Sequence, residues 1–248
     1  MVTIQKPVVA GTFYPAEVTT LKNQVEKFIA DAPLQKFDGQ LIGLISPHAG
    51  YQYSGPIAGA AFKQLEGRKY SRVVVLALSH RVPVRTAALS TRDVYRTPLG
   101  DIPIDVETVR DLIGSTKWAK DESAPYEVEH SLEVQLPFLQ VALKDFKLVP
   151  IIVGTHDKAT LDSIAESLNK KFSGEDTLFV ASTDLSHYHP YKMAIDLDKK
   201  TLGILTEKDS TTYYNSMITE DAELCGSAPV YVLKKIAELR GAELKVIE

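Results

Sequence analysis

Short apolar runs rich in β-branched residues recur along the chain: LIGLIS at 41–46, RVVVLALS at 72–79, KLVPIIVG at 147–154, TLFVAS at 177–182 and ELKVI at 243–247. Runs with almost no polar alternation predict strands buried on both faces, as in a parallel sheet covered by other elements. Between them, apolar residues at helical spacing predict helices over Thr20–Ala30, Pro56–Leu65, Ser131–Leu143, Lys158–Phe172, Tyr191–Leu205 and Ala228–Leu239. Alternating strand and helix predicts an α/β fold: a three-layer sandwich around a mainly parallel central sheet. Residues 87–105 combine β-branched positions with a Pro-Leu-Gly turn signal and predict a hairpin or an extension of the sheet. No repeat, low-complexity tract or linker interrupts the pattern, so residues 1–248 are expected to form one domain.

In such sheets ligands bind beyond the carboxyl ends of the strands, where loops converge and helix N-termini point inward. His48 follows the first run, His80 the second, and the fourth leads into Thr183-Asp184-Leu185-Ser186-His187-Tyr188-His189. The chain has 6 histidines, and His48, His80, His187 and His189 all follow predicted strands. Each alone reads as a turn residue. Their shared position makes His48, His80 and His187 a candidate site. His189, held extended before Pro190, reads as structural, and His156 has no acidic company beyond Asp157, which reads as a helix N-cap.

Imidazoles suit zinc, copper, iron and nickel, and such sites commonly include an anionic ligand. Asp184 lies three residues before His187, and a tight turn would aim both into the crevice. Cys225 precedes a helix predicted from Ala228, whose dipole favours thiolate; a buried apolar role fits the spacing equally well. His130, Glu133 and Gln135 precede Pro137, which is expected to kink its helix, and are placed to face the crevice; Glu129, Ser131 and Glu133 read equally well as helix-start chemistry. Tyr51, Tyr53 and Ser54 follow His48 between Gly50 and Gly55. The glycines are expected to admit a ligand close to the backbone, and a helix starting after Gly55 would offer its N-terminus to an anion. No P-loop and no G-x-S-x-G elbow occurs.

Charge narrows the choice. With 28 basic and 32 acidic residues, there is no cationic excess for nucleic acid or an anionic membrane. The first residues lack a basic lead into an apolar core, and no apolar stretch is long enough to span a bilayer. A cytoplasmic protein is expected. The single cysteine agrees with a reducing compartment.

Six segments in order, VVAGTFYPA (8–16), PHAGYQYSG (47–55), SH (79–80), EHSLEVQLPFLQ (129–140), STDLSHY (182–188) and CGSAPV (225–230), resemble the Memo family. Its bacterial and archaeal members are called AmmeMemoRadiSam system protein B. The resemblance runs from about residue 7 to about 247 and implies a fold like that of the class III extradiol ring-cleaving dioxygenases, which hold non-haem iron at this end of the sheet. It implies His48, His80 and Cys225 as metal ligands for iron or copper, with zinc a third option, and Asp184 and His187 as catalytic neighbours. His130, Glu133, Tyr51 and Tyr53 would contact substrate or support the ligands. Two departures stand out: Ser227 occupies a position where the family usually has arginine, and the chain stops at Glu248 where the family tends to continue.

The expected function is therefore a dioxygenase-like, metal-dependent oxidoreductase acting on a small substrate. The competing expectation is a non-catalytic module that binds a peptide or protein in the same crevice. Family association further suggests a radical SAM protein and an AMMECR-type protein as partners. Zinc-dependent hydrolysis is disfavoured by the absence of an HExxH-type pattern.

Overall fold

The computed structural model describes residues 2–174 and 176–247. Its elements, in chain order, are β1 (Ile4–Gln5), α1 (Val18–Asp31), β2 (Gly43–Ser46), α2 (Tyr51–Lys63), β3 (Arg72–Leu78), β4 (Ala87–Leu89), β5 (Val94–Thr97), β6 (Gly100–Pro103), α3 (Val106–Ser115), β7 (Ala119–Asp121), α4 (Leu136–Ala142), β8 (Lys147–Val153), α5 (Lys158–Lys171), β9 (Thr177–Ser182), α6 (Tyr191–Glu207), α7 (Ser210–Ile218) and α8 (Ser227–Leu239). Short 3-10 turns lie at Ala124–Glu127 and Glu133–Gln135.

The main sheet runs β2-β9-β3-β8-β4-β7. β2, β9, β3 and β8 are mutually parallel, and β4 meets β8 antiparallel. These four are the strands read from the apolar runs, and β3, β8 and β9 are almost wholly buried. α1, α2 and α4 pack together over one face while α5 and α8 cover the other, giving the expected α/β sandwich. Residues 87–105 divide. β4 joins the main sheet, and β5 and β6 form a hairpin that pairs with β1 in a separate three-stranded sheet.

Several predicted boundaries move. The ELKVI segment forms no strand: 243–247 have no regular structure and remain half exposed, because neither edge strand of the main sheet pairs with them among the described residues. α2 begins at Tyr51 rather than Pro56, so Gly55 lies inside the helix and its N-terminus lies beside His48. A Cβ on Gly55 would stand 2.3 Å from the Phe28 ring, and one on Gly59 would stand 2.5 Å from the Phe28 carbonyl oxygen. These two glycines let α1 close on α2 and are not a ligand cradle. Pro137 kinks nothing. It sits in the first turn of α4, where its missing N–H is harmless. α3 and α7 were not predicted, although each starts with an aspartate cap, Asp105 accepting from the Thr108 N–H and Asp209 from the Thr212 N–H.

Parallel pairing has a consequence for chemistry. The carboxyl ends of β2, β3, β8 and β9 all open at the same end of the sheet, carrying Pro47-His48, Ser79-His80, Gly154-Thr155-His156 and Thr183-Asp184.

Candidate metal centre

His48, buried at 1% exposure, enters directly from β2. Its Nδ1 lies 2.9 Å from the Ser182 hydroxyl at the end of neighbouring β9. That hydroxyl donates to the Ser131 carbonyl (2.6 Å) and accepts from the Gln135 amide (2.9 Å). With its single proton committed, Ser182 can only accept from His48, which fixes the tautomer with hydrogen on Nδ1 and a lone pair on Nε2. The free Nε2 faces the Cys225 sulfur at 3.2 Å.

His80 follows β3 and is held differently. Glu129, 1% exposed, accepts from the His80 backbone N–H and, at 2.9 Å, from its Nδ1. The same carboxylate accepts from the backbone N–H groups of His130 and Ser131. Burial pushes the Glu129 carboxyl up, but His80 and these donors bring it down to about 2. His80 is thereby oriented by a carboxylate, the support that metal-binding histidines commonly have.

Cys225 arrives from the far side through α8. Gly226 makes that approach possible, because a Cβ there would lie 2.3 Å from the Ser182 carbonyl oxygen. The sulfur accepts from the Asp184 N–H at 3.2 Å. Burial raises the thiol, yet the neighbouring His48 and His80 imidazoles outweigh it and lower the thiol to about 6. The Cys225 sulfur and Glu129 in turn push His80 up to about 9. The two shifts are mutual, sulfur and imidazole each favouring the charged form of the other, and a metal cation bound there would take the place of the shared proton.

One donor atom from each of His48, His80 and Cys225 lies within 4.8 Å of the other two, close enough for a single ion. The arrangement fits a metal: two imidazole nitrogens with their opposite nitrogens already bonded, and one low-pKa sulfur. His80, Glu129 and His130 form a second close group. Glu129 there is already engaged by four N–H donors.

The remaining candidates divide into neighbours and supports. Asp184 Oδ1 accepts from the backbone N–H groups of His48 (2.7 Å) and Ala49 (3.2 Å). Its Oδ2 lies 3.7 Å from His48 Nε2 and 3.9 Å from His187 Nε2. His187 stands at the rim, its side chain 44% exposed. His189 turns away to pair with Glu223 at 2.9 Å. His130 stacks on His80 with ring centroids 4.6 Å apart, and burial pushes its imidazolium down to about 4.

Glu133, fully buried, spends its carboxylate on the Val8 N–H (2.7 Å), the Val9 N–H (3.0 Å) and the Tyr14 hydroxyl (2.5 Å), tying down the N-terminal segment. Burial raises its pKa despite these donors. Tyr51 is a core residue whose hydroxyl donates to the Val134 carbonyl. Tyr53 projects into solvent. Asp157 caps α5, and His156 bonds Ser227, the residue standing where arginine was expected. Ser182 was not among the residues read as functional, and Glu129 was read only as helix-start chemistry. A serine closing a buried strand beside a histidine-bearing one was the available signal.

The Memo family model, described as Memo-like protein, matches residues 5–248. The chain belongs to the Memo family. A MEMO1 family protein of Thermotoga neapolitana is 33% identical over 241 residues, covering 93% of this chain and 87% of the relative. One from Methanococcoides burtonii is 35% identical over 243 residues, covering 97% and 89%. One from Archaeoglobus fulgidus is 33% identical over 247 residues, covering 99% and 91%. Memo membership thus extends over both faces of the sheet and every strand end that carries a candidate ligand. No helix among the described residues is long and apolar enough to cross a membrane.

Proposed function

We propose that this Memo-family chain is a metal-dependent oxidoreductase whose His48, His80 and Cys225 hold iron or copper, with dioxygenase-like chemistry on a small substrate. The observation that carries the reading is the convergence of two pre-oriented imidazoles and the Cys225 sulfur, with one donor atom of each within 4.8 Å of the others. Zinc would fit the same donors, but a thiolate beside two imidazoles also suits copper(I) and redox-active iron. A bound iron or copper ion would supply Lewis acidity and one-electron chemistry.

The protein's own groups have separable tasks. Ser182 and Glu129 hold the two imidazoles in their ligating tautomers. Asp184 fixes the His48 backbone with one oxygen and presents the other toward His187. His187 is the proton carrier: its Nε2 takes a proton from an acidic substrate hydroxyl, and Asp184 Oδ2 at 3.9 Å stabilises the resulting imidazolium. Its exposure lets that proton exchange with solvent.

Metal analysis of protein purified without a chelating tag tests the reading. One equivalent of iron or copper, absent from His48→Ala, is expected. No bound metal and no affinity for added iron, copper or zinc would end it.

A further inference from the structure

Beside the His48–His80–Cys225 group lies a cavity of about 470 Å³ that none of the roles above uses. Val8, Val9, Phe13 and Val128 supply its apolar lining, and Thr12, Arg81, Glu127 and His130 the polar part. The volume falls in the range that accommodates small organic ligands. His130 connects it to the ligand group: one side of its ring stacks on His80, and Phe13 packs on it with centroids 4.5 Å apart.

Three observations give the cavity a chemistry. Its wall is built to stay in place, because buried Glu133 grips the Val8 and Val9 N–H groups and the Phe13 carbonyl accepts from the Tyr51 N–H at 2.8 Å. Val8 and Val128 are both more than a third exposed, so the mouth offers apolar surface to solvent. The charges do not cancel: Glu127, at the edge, is paired with Arg92, whereas Arg81 has no acidic partner among the described residues.

We infer that this cavity binds a small apolar carboxylate, its hydrocarbon body against Val9, Phe13 and Val128 and its carboxylate on the Arg81 guanidinium. A planar fork of N–H donors matches a carboxylate in bidentate fashion, and the exposed Arg81 side chain is free to turn its guanidinium onto a ligand lodged in the mouth. That the bound carboxylate is also a substrate rests on the metal-centre reading; the binding does not.

The test is calorimetric titration of the full chain, metal-loaded and metal-free, with 3-phenylpropionate and its neutral match 3-phenyl-1-propanol. The carboxylate should bind about tenfold more tightly than the alcohol, and Arg81→Gln should erase that difference while leaving the alcohol unchanged. Val128→Asp, which sets a like charge in the mouth, should abolish carboxylate binding. Shifts of the His130 ring resonances on titration should locate the ligand. Equal binding of the two probes, indifference to Arg81→Gln, or an unmoved His130 would overturn the inference. Metal content measured on the same samples separates the two claims: intact metal without carboxylate binding sinks only this one, and carboxylate binding without metal sinks only the other.

Discussion

The loops after β2 and β3 and the loop after β9 carry the same sequence signal, a buried strand running straight into histidine, yet the side chains meet different conditions. His48 and His80 have their far nitrogens tied to Ser182 and Glu129, and their near nitrogens face Cys225. His187 has no such ring anchor among the described residues and sits half in solvent, while His189 is taken by Glu223. Strand ends bring histidines to the crevice. What sets His48 and His80 apart is a second hydrogen bond, which holds each ring and chooses its tautomer, as metal-binding histidines commonly require. The other loop leaves His187 open to solvent.

The sharpest way to break this contrast is to exchange the two classes. Cys225→Ser and His48→Ala should lose bound metal almost completely, whereas His187→Ala should keep it and lose turnover; metal content by mass spectrometry reads both. If His187→Ala also emptied the site, the division between ligand and proton carrier would fall.

Next in size is Glu129→Ala. Removing a buried carboxylate that serves His80, His130 and Ser131 should lower stability by about 3 kcal/mol and weaken metal binding by roughly 10- to 100-fold. Thermal melts and competition with a chelator would measure these effects. Because the folded carboxyl stands at about 2, well below its ordinary 4.5, Glu129 contributes stability above pH 4.5. That contribution is lost as pH falls from 4.5 through about 2. Metal-free Glu129→Gln should show a flatter acid arm than the parent in denaturant titrations at stepped pH.

Ser182→Ala is a milder version of the same test. It frees the His48 tautomer and takes the Ser182 donor from the Ser131 carbonyl, while the Gln135 amide keeps the Pro47 carbonyl, so metal affinity should drop by about tenfold with a loss of about 1–3 kcal/mol. Smallest of all is Glu223→Gln, which touches the partly exposed pair with His189 and a 3.3 Å bond from the His187 backbone N–H. A change below about 1 kcal/mol and unaltered metal content are expected.

The main sheet was legible because β3, β8 and β9 are buried on both faces and must be apolar throughout. ELKVI carries the same composition and forms no strand, since composition cannot supply a pairing partner. Helix starts were less legible. Pro56 suggested a beginning where α2 is already under way, and the glycines around it answer to Phe28, a residue remote in sequence. Within the site, residue type and strand-end position pointed to His48, His80 and Cys225 as candidates. Ser182 and Glu129 were obscure because serine and glutamate have many ordinary uses, and their roles depend on which strand lies beside which. Glu129 and Glu133 show the limit plainly: four residues apart and both buried, one orients His80 while the other binds the N-terminal segment.

The central claim is that a thiolate and two imidazoles share one metal ion, and X-ray absorption at the metal edge of the loaded protein tests it most directly. The account predicts a sulfur scatterer in the first coordination sphere together with imidazole nitrogens, the sulfur vanishing in Cys225→Ser. A shell of nitrogen and oxygen alone, unchanged by that substitution, would contradict it.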